Sequence, residues 1–167
     1  IDHERRLMGS RVRDILGRIK TDLVGINGTG SYNYDLSGDN QVIVAQAMDP
    51  VRVPCIYIYS DGMDTTQAAG RTILTQFDRT LRVMCVGYIA ATNDDPEELH
   101  LRTWDLLADM QRALEADRSL GPPAAPLCDD LELSMVATDG AQVGRPTMGI
   151  AVVALSVSFR QDSGSPE

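Results

Sequence analysis

The side chains that could do chemistry are few and widely spaced. The two histidines, His3 and His100, stand in neither an H-E-x-x-H pattern nor any other metal-ligand spacing, and each reads as a surface residue. The three cysteines are Cys55, Cys85 and Cys128, without a C-x-x-C pair. Cys55 and Cys85 lie in apolar runs and read as small buried hydrophobes, so the expected compartment is a reducing cytosol or a particle assembled in one. No G-x-S-x-G nucleophile elbow occurs. The run Gly28-Thr29-Gly30-Ser31-Tyr32-Asn33 begins like a dinucleotide-binding turn but lacks the third glycine and follows a helical pattern. Between Gly140 and Gly144 the spacing hints at a phosphate loop, yet Arg145 and Pro146 stand where Lys and Ser or Thr would be needed. Asn27-Gly28-Thr29 matches a glycosylation acceptor with no secretory signal to support it.

Carboxylates are the one abundant reactive class. Asp61-x-x-Asp64 and Asp129-Asp130-x-Glu132 could hold a hard cation if they converged, because Mg²⁺ and Ca²⁺ take several oxygen ligands. With no EF-hand pattern, a solvated acidic surface is the simpler reading. No catalytic residue, metal or cofactor is expected. A small metal-dependent cytosolic enzyme built on Asp61, Asp64, Asp129 and Asp130 is the alternative of a different class.

Charge distribution says more than any motif. The 167 residues carry 15 Lys+Arg against 24 Asp+Glu, a net charge of −9, with 43% hydrophobic residues. That apolar fraction supports a folded core, and the acid excess disfavours a tight grip on duplex DNA, which needs cations to displace counterions. Arg5, Arg6, Arg11, Arg13, Arg18 and Lys20 leave residues 1–23 at +2 and the remainder at −11. No apolar run is long enough to span a bilayer.

Residues 4–26 place Met8, Val12, Ile15, Leu16, Ile19, Leu23 and Ile26 on one helical stripe. The glycines that follow stop this helix and open a polar, mobile loop to residue 40. Strands are expected at 42–45, 54–59, 72–90, 130–138 and 147–160, the third long or bulged. Residues 60–71 read as an exposed polar loop and 139–146 as a turn. A second helix is announced by Asp94 or Asp95 as cap, Pro96 in the first turn and Glu97 and Glu98 against the dipole. Its main stripe is Leu99, Leu106, Leu107, Met110, Ala113 and Leu114. Leu101 and Ala108 lie nearly opposite and Trp104 on the shoulder, so this helix needs apolar contacts on more than one side. The fold class is α+β: a mixed, mostly antiparallel sheet packed with two principal helices, in the order α-β-β-β-α-β-β. One domain over 1–167 is expected, with 1–3 and 161–167 frayed.

These features together carry a resemblance. The basic first helix and Gly-rich loop lead to Pro54-Cys55-Ile56-Tyr57-Ile58-Tyr59, and a long strand closes on Leu81-Arg82-Val83-Met84-Cys85-Val86-Gly87-Tyr88. A helix then opens with Asp95-Pro96-Glu97-Glu98 and runs through Asp105 to Leu114, the phrase Ala113 to Gly121 follows, and Leu155-x-Val157-x-Phe159-Arg160 closes the pattern. This order resembles the tail terminator (tail completion) proteins of long-tailed double-stranded DNA bacteriophages. The resemblance implies a non-enzymatic virion subunit, assembled in the host cytoplasm. It would form a ring, typically a hexamer, at the head-proximal end of the tail tube. The ring would stop tube polymerisation, offer a surface to head-neck proteins and let double-stranded DNA pass without specific binding. Its partners would be further copies, the tail tube protein and a connector protein, with no membrane. Another head-to-tail neck protein is the nearest alternative.

The resemblance brings no residue-level site, so candidates come from this sequence. Arg11, Arg18, Leu101, Trp104 and Ala108 are expected at the subunit interface. Asp61, Met63, Asp64, Gln142 and Arg145 are expected in loops that contact tube or neck. Asp78, Asp129, Asp130 and Asp139 are expected along an acidic channel.

Overall fold

The computed structural model describes residues 2–47, 49–50, 52–67, 76–92, 95–139 and 148–162, with the side chains of residues 2–10, 67, 76, 135, 139 and 162 outside the description. Helix α1 spans Asp2–Val24 and buries Ile15, Ile19 and Leu23, one turn apart each, on a single face. Strands β1 (Val42–Val44), β2 (Cys55–Gln67) and β3 (Gln76–Ala90) follow, then helix α2 (Pro96–Glu115), β4 (Asp130–Asp139) and β5 (Met148–Asp162). The order α-β-β-β-α-β-β is the expected one. The five strands form one sheet ordered β1-β2-β3-β5-β4, in which only the β1/β2 pair is parallel.

Both helices lie on the same side of this sheet. Leu81, Val83, Cys85 and Ile89 of β3, cross-strand from Val157, Leu155, Val153 and Gly149 of β5, share a core with Ile56 and Ile58 of β2 and the apolar stripes of α1 and α2. Two glycines set how closely α2 approaches. A Cβ at Gly87 would come within 2.9 Å of Leu106 and 3.0 Å of Met110, and one at Gly149 would collide with Thr103 Oγ1. The cap of α2 is Asp95, whose carboxylate accepts from Glu97 N at 3.0 Å, with Pro96 in the first turn as its fixed φ allows.

Two expectations are corrected here. Residues 60–67 are strand: β2 continues past Tyr59 and pairs with β3 as far as Gln67↔Phe77. The Asp61-Gly62 pair within the expected polar loop is a bulge, with Gly62 at φ +115, so the register shifts between Ser60 and Met63 without ending the ladder. The polar residues beyond it pair across the hairpin, Arg79 Nη1 donating to Thr65 Oγ1 at 2.9 Å. At the far end of the chain β5 runs through Gln161 and Asp162, which pair with Phe77 and Gln76 where fraying was expected.

The loop after α1, expected to be mobile, is fastened to α2. Asp109 is fully buried, and its carboxylate accepts the main-chain N–H groups of Asn33 at 2.7 Å and Tyr34 at 2.9 Å and the Asn33 side-chain amide at 3.0 Å. Tyr34 Oη donates to the Arg102 carbonyl at 3.0 Å, a second tie to the same helix. A buried carboxylate is tolerated where hydrogen bonds saturate it, and here they hold the 27–40 segment against α2.

Candidate assembly surfaces

The opposite sheet face carries neither helix. Strand alternation sends Tyr57 and Tyr59 of β2, Met84, Val86 and Tyr88 of β3, and Ile150, Val152 and Ala154 of β5 to that side, in adjacent rows of one register. Tyr57 and Val86 are buried in the middle of the patch, while Tyr59, Met84, Tyr88, Ile150, Val152 and Ala154 are half-buried. Tyr57 and Tyr88 meet edge to face, their centroids 6.0 Å apart.

Further along the same face the residues turn polar and acidic. Asp64, Thr80, Ser158 and Asp130 form one row across four strands, with Asp78 and Arg160 in a neighbouring row and Arg82, Ser156 and Glu132 in another. Arg160 Nε meets Asp78 Oδ1 at 3.1 Å. Asp78 and Asp130, two of the expected channel residues, therefore share a face, and exposed Asp129 immediately precedes β4. Asp139 ends β4, paired in register with Ile150 far from that row.

The outer face of α2 is the second surface. Leu101 is 56% exposed and Trp104 46%, with half-buried Ala108 between them and exposed Glu97, Asp105 and Glu115 around them. Trp104 Nε1 donates to His100 Nε2 at 3.1 Å, one turn back, which fixes the indole against the helix. The third surface is an open groove between α1 and β1. Val12, Leu16 and Val44, the last 42% exposed, supply apolar lining; Arg13, Lys20 and Asp14 stand along it.

The two arginines expected at an interface are engaged within their own chain. Arg18 Nη2 lies 2.7 Å from Asp117 Oδ2 and its Nε 3.3 Å from Asp22 Oδ1; the Asp117 hydrogen bond raises its pKa further. Burial pushes the Asp22 carboxyl up to about 6 against the opposing pull of Arg18, and Asp117 adds to the rise. Arg11 Nη2 donates to the Pro126 carbonyl at 3.3 Å. Arg18 thus ties α1 to the segment after α2, and the exposed cations on this part of α1 are Arg13 and Lys20.

Asp61 and Asp64 are exposed on β2, not in a loop, and Met63 points inward against the core. Gln142 and Arg145 lie outside the described residues. Asp64 and Asp130 are separated by β3 and β5, roughly 14 Å at the usual spacing of strands. The two acidic pairs thus do not converge on one cation. Among the described residues no group of three or more His, Cys, Asp or Glu is arranged to hold a metal ion. All three cysteines are free and buried: burial raises the Cys85 thiol to about 12 and those of Cys55 and Cys128 to about 11. No described helix is long and apolar enough to cross a membrane.

The geometry defines an α+β fold in which one five-stranded sheet is backed on one side by both helices. No protein-family model and no curated protein matches the chain. Among solved structures, it is similar to a chain of the virion of a native gene transfer agent particle, at 11% identity and a TM-score of 0.45, covering 83% of this chain and 84% of that one.

Proposed function

We propose that this chain is a structural virion protein without enzymatic activity. It forms a ring, a hexamer, at the head-proximal end of a phage tail tube, stops tube polymerisation there and presents the surface to which head-neck proteins attach. The observation that carries the reading is the helix-free sheet face, apolar at one end and acidic at the other. A subunit that leaves Tyr59, Met84, Tyr88, Ile150 and Val152 half-buried completes its burial against another protein. The acidic rows with Asp64, Asp78, Asp130 and Glu132, joined to a net charge of −9, suit a wall past which DNA slides unheld. The order of elements resembles that of tail terminators, which supports a position at the tail end.

The test is to add the purified chain to polymerising tail tube protein and follow tube length by electron microscopy. The reading predicts shorter, uniform tubes with added density at one end. Unchanged tube growth, with binding to portal-bearing heads instead, would make the chain a neck protein.

A further inference from the structure

The large hydrophobic side chains most exposed among the described residues are Val44, Leu101 and Trp104. They fall on two different surfaces: Val44 in the groove between α1 and β1, and Leu101 with Trp104 on the outer face of α2. We infer that copies of this chain join head to tail, the outer face of α2 in one copy seating in the α1/β1 groove of the next.

Charge selects this pairing. The α2 face is rimmed by exposed Glu97, Asp105 and Glu115, while exposed Arg112, one turn beyond Ala108, donates to the Ser31 carbonyl and to Asp109 within its own chain. The groove presents exposed Arg13 and Lys20 against a single acid, Asp14, while Arg18 beside them is held by Asp117. A symmetric contact of α2 with α2 would set carboxylates against carboxylates, and groove against groove would oppose cations. Only the unlike pair brings opposite charges around an apolar centre. It is also the helix-in-groove mode, with Trp104 held by His100 as the anchor. Because the two surfaces share no residue, the contact is heterologous and repeats around a ring or along a filament.

The inference rests on the ring-forming reading, and the test separates the two. One variant carries Arg13→Glu and Lys20→Glu, a second Asp105→Lys and Glu115→Lys, and a third all four; every site is exposed, and unchanged melting temperatures verify the fold. Sedimentation velocity measures the concentration at which each assembles. Each double reversal is expected to raise that concentration more than ~tenfold, as is Trp104→Ala, and the fourfold variant to return it near wild type. Wild-type assembly that no reversal changes overturns this interface and leaves the ring reading standing. Damage by both reversals without rescue means that the two surfaces do not meet each other, which also overturns it. A wild-type chain that stays monomeric throughout removes both readings.

Discussion

Asp22 shows how local burial converts into a dependence on pH. Its carboxyl is raised to about 6 because burial outweighs the attraction of Arg18. The folded state therefore prefers the protonated form: the contribution to stability is fully present below the unfolded value near 3.8 and is lost as pH rises through 6. Asp22→Asn is expected to raise the melting temperature at pH 7 by ~2–4 °C, with the advantage shrinking toward pH 4. Thermal melts across that range check it; an equal gain at both ends would contradict the assignment. The buried thiols give a second prediction. At pH 8 an aromatic disulfide reagent should leave Cys55, Cys85 and Cys128 unmodified in the native protein and label all three after denaturation, because burial suppresses their thiolates. The burial of Cys55 and Cys85 was legible from their apolar neighbours. That of Cys128, amid polar and turn residues, was not, since its cover comes from residues distant in the chain.

At the scale of elements, α2 organises the molecule. Its inner face packs on β3 and β5, its buried Asp109 fastens the 27–40 segment, and its outer face leaves Leu101 and Trp104 exposed. Asp109→Ala would leave the main-chain N–H groups of Asn33 and Tyr34 without their acceptor. It should cost about 2–4 kcal/mol, with amide exchange accelerating in residues 27–40 well before the sheet. Uniform acceleration across the chain would contradict a local clamp. Gly149→Val should destabilise by at least about 1–3 kcal/mol, since the new side chain meets Thr103 where α2 crosses β5; chemical denaturation measures it. The cap, stripe and limits of α2 were readable because they are local signals. The role of Asp109 was hidden, because a carboxylate in an amphipathic helix reads as surface unless its acceptor role for a distant loop is known. The same limitation concealed the engagement of Arg18 with Asp117, 99 positions away, and the continuation of β2 through a bulge whose Asp-Gly pair looks like a turn.

For the whole molecule, the partition of surface matters more than net charge. One sheet face is covered by two helices; the other carries no helix, with apolar side chains at one end and polar and charged rows at the other. The outer α2 face and the α1 groove add a complementary pair with different residues on each side. Alternation in the strand sequences made the fold class legible, yet which apolar face lacks a helix emerges only when both helices land on the same side. Such a subunit should assemble into a closed ring, and its assembly should weaken with added salt as the charged rims are screened. Electron microscopy of the purified chain tests this most directly. The account predicts closed rings of uniform diameter with an open centre; dispersed monomers at every concentration, or symmetric dimers that grow no further, would contradict it.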